Sequence, residues 1–276
     1  MEKSNNIVHG LWIGEQLSPI EILCIQSYLE AGHTFYLWCY QTVHNIPAGT
    51  IQKNASEILS EQAIFRYKNT NKFGHGKGSL AGFSDIFRYK LLYEFGGWWT
   101  DMDITCLQRL DFNEPFIFRK NGSKGIVGNL MKCEAKSELM HYCYERASTE
   151  IDENNKDWML PITILNNGIQ KFNLTHYTKE LSNEDSWPFV CDWLLNDFSV
   201  PADWYAIHWM NEEWRRLSVN KNTFLKDSFI EKLLSRFDVP HGLLTEEQIK
   251  QLEWNIGVWN YRIVNLKARI RWLLNL

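Results

Sequence analysis

The chain has 276 residues, 45% of them hydrophobic and 22% charged, enough to bury a core in one large domain or in a domain with an appendage. A formal net charge of −4 gives no global basic field of the kind that nucleic acid selects. No uncharged apolar run reaches the roughly 18 residues a membrane span needs, and the opening MEKSNNIVHG has no apolar h-region, so neither a transmembrane helix nor a secretory signal is expected. The six cysteines, Cys24, Cys39, Cys106, Cys133, Cys143 and Cys191, form no C-x-x-C pair. Four of them sit inside apolar runs, which reads as buried thiols in a reducing compartment rather than a disulfide frame or zinc site. The 13 tryptophans suit flat surfaces for sugars or bases, and equally suit a core.

Residues 7–13, IVHGLWI, read as a buried strand. Ser18-Pro19-Ile20-Glu21 is a capping box with proline at the first helical position. The helix it starts, about residues 19–31, stops at Gly32, and 34–40, TFYLWCY, read as a second strand. Strand, helix and strand at this spacing predict a βαβ unit with parallel strands and a right-handed crossover. Ligands of such sheets bind beyond the carboxyl ends of the strands, where Trp12 falls. Residues 55–67 read as helical. KNTNKFGHGKGS, 68–79, is a Gly- and Lys-rich loop that does not fit a Walker A phosphate loop; it reads as a surface loop, or as a flap over an anionic substrate.

A helix follows from about Ser84 to Phe95, apolar nearly all round and so buried. Asp85 and Arg88 lie three apart on one face of it, as an internal ion pair or as a pair turned toward a polar ligand. Then comes GGWWTDMD, 96–103. Two glycines end the helix, WWT reads as a short strand entering the core, and Asp101 and Asp103 fall at its end. In an extended chain residues i and i+2 point the same way, ~6.5–7 Å apart, with Met102 on the other side. Paired carboxylates of this kind suit a hard divalent cation held against a diphosphate.

SDIFRYKLLYEFGGWWTDMDITCLQRLD, 84–111, resembles the central motif of the DxD sugar transferases of glycosyltransferase family 32, which include Och-type mannosyltransferases and α-1,4-galactosyltransferases. The pattern S-D-h-x-R-Y-x-x-L-Y-x-x-G-G-h-Y-h-D-x-D is met at Ser84, Asp85, Arg88, Tyr89, Leu92, Tyr93, Gly96, Gly97, Asp101 and Asp103. It departs at Trp99, where the family usually has tyrosine. IVHGLWIGEQLSP resembles the family's opening strand, GIVGNLMKCEAKSELM the segment after the DxD strand, and AIHWMNEEW, 206–214, the late H-x-W-x-x-x-W segment. Pro161 stands where the family has T-G-P, with Met159 and Leu160 in place of its threonine and glycine.

The resemblance, over about residues 7–215, implies an α/β fold of the GT-A, Rossmann-like type and a retaining, metal-dependent transfer of sugar from a nucleotide sugar, most often a UDP-sugar. It implies Trp12 against the base, Asp85 and Arg88 on sugar or ribose hydroxyls, and Trp99 and Asn129 near the donor. It further implies Asp101 shared between ribose and metal, Asp103 and His208 as ligands of Mn²⁺ or Mg²⁺, and Trp209 or Trp214 walling the donor pocket. On the residues alone, His208 among Trp204, Tyr205 and Trp209 is also a plain core histidine. The acceptor implied is a glycan or lipid-linked glycan of a bacterial surface polysaccharide, capsule or O-antigen.

A catalytic domain over 1–215 and a helical extension over 216–276 are expected. Residues 257–276, GVWNYRIVNLKARIRWLLNL, carry four basic and no acidic residues with apolar positions at helical spacing, a pattern for peripheral contact with an anionic membrane or for a helix packed on the domain. The expected location is cytoplasmic, at most peripheral to the inner face of the membrane. Two other classes remain open: a carbohydrate-binding protein without catalysis, and a phosphatase in which Asp101-Met102-Asp103-Ile104-Thr105 serves as a D-x-D-x-T loop, although no later G-D-x-x-x-D motif is found.

Overall fold

The computed structural model describes residues 5–122 and 125–255. The expected βαβ unit forms, with its two strands parallel. Strand β1 (Ile7–Trp12) leads to helix α1 (Pro19–Glu30), and strand β2 (Thr34–Cys39) returns parallel to β1 with Ile7 opposite Thr34 and Trp12 opposite Cys39. The α1 capping box is present: the Ser18 backbone N–H donates to Glu21 Oε2 at 2.8 Å.

After β2 the chain departs from expectation. Strand β3 (Ile51–Asn54) pairs parallel to β2, and residues 55–67 contain two 3₁₀ turns, at Ala55–Glu57 and Glu61–Ala63, where a helix was expected. The side chains of Asn54 and Ser60 accept hydrogen bonds from Ser56 N–H and Gln62 N–H, so each short turn has its own N-terminal cap.

Helix α2 (Ala81–Phe95) runs to a stop made by Gly96 and Gly97, at φ +64° and +89°. A Cβ on Gly96 would stand 2.5 Å from Ala135 N, so close backbone approach as well as turn geometry demands glycine there. Strand β4 (Gly97–Thr100) is wholly buried and lies parallel to β1. Strand β5 (Ile104–Cys106) follows, then β6 (Ile117–Asn121) and β7 (Gly125–Cys133). The main sheet has the order β3-β2-β1-β4-β7-β6, with a short β8 (Thr178–Lys179) parallel to β6 at its edge. β7 runs antiparallel to both β4 and β6. Helix α3 (Glu138–Glu150) packs on α2, and helix α4 (Leu160–Lys171) on α3 and β7.

Trp38, Trp98, Trp99, Trp193, Trp209 and Trp214 are all fully buried. Much of the tryptophan surplus therefore builds core rather than a carbohydrate-binding face. All six cysteines are buried and free.

The chain divides into two compact units. The first takes Met1–Asp185 and Pro201–Trp209; the second takes Ser186–Val200 and Met210 onward. The expected boundary after residue 215 thus gives way to a chain that leaves at 186, returns over 201–209 and leaves again. Packing within the second unit explains this. Helix α5 (Trp187–Leu195) lies on α7 (Phe229–Arg236) through Trp193 and Phe229, while Trp214 of α6 (Asn211–Arg216) meets Trp187 and Phe224. The returning segment supplies β9 (Ala206–His208), which pairs antiparallel with β5. The basic segment 257–276 lies outside the described residues.

Candidate active site

The carboxyl end of β4 carries the two aspartates, but not on an extended chain. The strand ends at Thr100, and Ile104 N–H donates to Asp101 O at 3.2 Å, closing a turn. The expectation that both carboxylates face one point in strand geometry is therefore corrected. Met102 is buried, its sulfur so close to Gly10 that a Cβ there would stand 2.8 Å away. The two carboxylates take different partners.

Asp101 turns back to α2. Arg88 Nη2 donates to its Oδ1 at 2.9 Å and also lies 3.1 Å from Asp85 Oδ1, while Trp99 Nε1 donates to the same Asp101 oxygen at 2.7 Å. The Arg88 guanidinium sits over the Trp99 ring, 5.2 Å from its centroid. The ion pair read from the sequence thus exists and extends to Asp101. Burial pushes the Asp85 carboxyl up to about 7 against the pull of Arg88. Gly128 of β7 makes room for the guanidinium: a Cβ there would stand 2.3 Å from Arg88 Nη1.

Asp103 turns instead toward β9. The pairing of β5 with β9 sets Ile104 opposite His208, and His208 Nε2 comes to 3.3 Å from Asp103 Oδ2. Asp103 O also accepts Trp209 N–H at 2.9 Å. Thus residues far apart in sequence meet because two three-residue strands pair. His208 Nδ1 is 2.6 Å from Asp185 Oδ1. Burial alone lowers the His208 pKa, but Asp185 and Asp103 outweigh it and carry the imidazole to about 9.

Asn129 stands between the two arms. Its carbonyl accepts Asp101 N–H at 2.8 Å and its Oδ1 accepts Arg119 Nη1 at 3.1 Å. Arg119, Asn183 and Asp185 were not singled out by sequence reasoning. Arg119 lies in a strand that reads as ordinary alternation, and 180–185, ELSNED, reads as a polar loop. Strand β6 carries Arg119 to the site, and the contact of that loop with β9, bridged at Ser182 and Ala206, brings Asn183 and Asp185 there.

The tryptophans divide. Trp12, half-buried at the end of β1, donates through Nε1 to Gln16 O at 3.1 Å. Trp99 is buried and orients Asp101. Trp209 is fully buried and donates to Thr105 Oγ1 at 2.8 Å, a core position where a pocket wall was expected. Trp214 is buried in the aromatic core of the second unit. The same Thr105, fifth residue of the D-x-D-x-T string, lies buried in β5.

Among the described residues no three His, Cys, Asp or Glu side chains form a ready metal cage. The expected set of Asp101, Asp103 and His208 is only partly assembled, because Arg88 and Trp99 hold Asp101. The residues present nevertheless fit a divalent cation. Asp103 and His208 offer one carboxylate and one imidazole side by side, and such cations commonly complete their shell with substrate phosphates and water.

Residues 21–121 match the family described as "Glycosyltransferase sugar-binding region containing DXD motif". The match includes Asp85, Arg88, Trp99, Asp101 and Asp103. That match covers 101 of the 276 residues, and the main sheet of the first unit is a mixed sheet with helices against it, parallel over β3-β2-β1-β4. Domains of this kind generally use a nucleotide-sugar donor, a glycan acceptor and a divalent metal. No curated protein matches the chain. Similar solved structures include the PaToxG glycosyltransferase, at 12% identity over 60% of this chain and 68% of that one, TM-score 0.43. The apo-form glycosyltransferase GlyE of Streptococcus pneumoniae TIGR4 shows 12% identity over 94% of this chain, TM-score 0.47, and this chain covers 64% of its length. A transferase solved in mutant form shows 8% identity over 63% of this chain and 87% of that one, TM-score 0.40. Among the described residues no helix is long and apolar enough to cross a membrane.

Proposed function

We propose that this protein is a retaining, divalent-metal-dependent glycosyltransferase that moves a sugar from a UDP-sugar to a glycan or lipid-linked glycan acceptor in bacterial surface polysaccharide synthesis. The observation that carries the reading is the meeting of Asp103 Oδ2 with His208 Nε2 at 3.3 Å, beside an Asp101 oriented by Arg88 and Trp99.

Asp103 and His208, with Asp101 alongside, would hold Mn²⁺ or Mg²⁺, which supplies positive charge to a departing diphosphate. The chain's own side chains do the rest. Trp12 offers a half-buried ring for the base at the strand ends, where open α/β sheets bind ligands. Asp101 has one oxygen committed to Arg88 and Trp99; its side chain is 31% exposed, which leaves the other oxygen for a ribose or sugar hydroxyl. Asp85 and Arg88 line the same side, Asn129 fixes the backbone between the arms, and Trp209 packs behind β5 through Thr105. Retention is supported by the family resemblance. In a front-face displacement the anomeric carbon loses the diphosphate oxygen and gains the acceptor oxygen on the same face, and the acceptor proton passes to the leaving diphosphate. The basic segment 257–276, outside the described residues, is assigned to contact with the membrane that carries a lipid-linked acceptor.

Calorimetry with a panel of nucleotide sugars, with and without Mn²⁺, on the wild type and Asp103→Asn tests this. The expected result is metal-dependent binding of one UDP-sugar, lost in the variant, and release of UDP slowed about 10³-fold. Binding of no nucleotide sugar by folded protein would sink the reading; retained glycan affinity in Asp103→Asn, with no need for metal, would establish a carbohydrate-binding protein instead.

A further inference from the structure

Arg119 is fully buried in β6, yet every nitrogen of its guanidinium has a partner. Nε donates to Ser182 Oγ at 2.5 Å, Nη1 to Asn129 Oδ1 at 3.1 Å, and Nη2 to both Asn183 O at 2.5 Å and Asp185 Oδ1 at 2.7 Å. A buried arginine carries a large desolvation penalty, which only a full set of bonds and a counter-charge offset. As a stabilising device it is poor, because an apolar pair would serve as well. What an apolar pair would not do is hold His208.

The Asp185 oxygen that receives Arg119 is the one that faces His208 Nδ1, at 2.6 Å. The backbone of the histidine is clamped as well. His208 N–H donates to Asn183 Oδ1 at 2.8 Å, and Asn183 Nδ2 donates to His208 O at 3.2 Å. With one ring nitrogen bound to Asp185 and the backbone fixed from both sides, the other ring nitrogen has one direction left, toward Asp103. Arg119 reaches the second arm through Asn129, whose carbonyl carries Asp101 N–H.

We infer that Asp185, backed by Arg119, is a positioning residue that aims His208 Nε2 at the cation shared with Asp103, and that Arg119 ties this arm to the Asp101 arm through Asn129. The inference rests on the metal site proposed above. A carboxylate that accepts the distal N–H of a ligating histidine fixes the ring and raises its basicity, and losing it costs about 10–100-fold in metal affinity.

The test uses the full chain with UDP and two probes, Mn²⁺ by calorimetry and Co²⁺ by visible absorption. Variants are Asp185→Asn, Asp103→Asn and the double variant Arg119→Gln/Asp185→Asn. The double variant leaves no buried charge alone, so it covers the case in which Asp185→Asn does not fold. In folded protein, checked by thermal melting, either Asp185 variant is expected to weaken Mn²⁺ about 10–100-fold and to shift the Co²⁺ bands. A structural role alone would move the melting temperature and leave the bands in place. Wild-type affinity and bands in both Asp185 variants, with binding lost in Asp103→Asn, would overturn the inference and keep the metal site. Failure of the wild type to bind either ion would overturn both.

Discussion

Asp101 and Asp103 stand two residues apart and live in different settings. Asp101 finds its partners locally, Trp99 two residues back and Arg88 thirteen back across a single helix-to-strand turn. Its side chain is 31% exposed. Asp103, only 7% exposed, finds His208 across a pairing of distant strands, and behind His208 lie Asp185 and Arg119. One aspartate is thus held partly exposed by short-range contacts, while the other is buried among contacts made by separate chain segments. Each arm is built on one buried guanidinium, but Arg88 holds two carboxylates directly and Arg119 reaches a histidine through one carboxylate.

Arg88→Met separates the arms most sharply. It leaves Asp85 and Asp101 without their cation, and breaking a buried pair costs about 3–5 kcal/mol. The cost should fall near the low end, about 3 kcal/mol, because the Asp85 carboxyl, already raised to about 7, can take up a proton. Urea unfolding measures the loss. Mn²⁺ affinity with UDP should fall less than in Asp103→Asn, since His208 and Asp103 keep their pairing. An equal loss of metal in both variants would mean that the arms are one unit and the comparison is false.

A second contrast concerns the histidines. Asp185 and Asp103 raise the pKa of His208, whereas His9 and His33 are kept neutral, burial being the main cause, with pKa values of about 3 and about 4. His9 Nδ1 accepts Trp38 Nε1–H at 3.1 Å, a bond that a proton on that nitrogen would destroy. In the unfolded chain both titrate near 6.5, so below that pH the unfolded state binds more protons and gains on the folded one. Stability from this source is complete above about pH 7 and declines down to about pH 4 for His33 and about pH 3 for His9. Each group contributes a slope of up to about 1.4 kcal/mol per pH unit. Urea midpoints from about pH 7 to about pH 4.5 should show it, and His33→Gln should flatten the fall. An unchanged slope in that variant would show that other groups carry the acid response.

The same division explains what the sequence made legible. The βαβ unit, the α2 helix, its glycine stop and the Arg88 pair follow from periodicity, caps and spacing within a few turns of chain. Residues 55–67 misled because Asn54 and Ser60 cap single turns that periodicity cannot distinguish from a helix start. The turn at Asp101 depends on Asn129 O, and the His208 arm on Arg119, Asn183 and Asp185, all supplied by strands and loops that no local pattern orders. His208 was reached only by resemblance, and Asp185, in a polar loop without periodicity, not at all. Trp209 shows the converse: resemblance placed it at a pocket wall, and packing against Thr105 places it in the core.

Gly128→Ala is the finest probe of the Asp101 arm. The added methyl would stand 2.3 Å from Arg88 Nη1 and 3.5 Å from both Arg88 Cζ and Leu165 Cδ2, so the guanidinium must move. The tip of an arginine is usually free to yield, but this one is fixed by Asp85, Asp101 and the Trp99 ring. Overpacking of this kind costs about 1–3 kcal/mol. The displacement should be felt first by Asp101, whose Oδ1 loses alignment with Arg88, so donor affinity should fall. The His208 arm shares no atom with the collision, and Mn²⁺ affinity with UDP should hold to within about threefold, under about 1 kcal/mol. Donor affinity and metal affinity falling together would show that Asn129, next in the chain, passes the strain from Arg88 to Arg119. In that event the two arms answer as one, and the bond from Arg119 to Asn129 is the path between them.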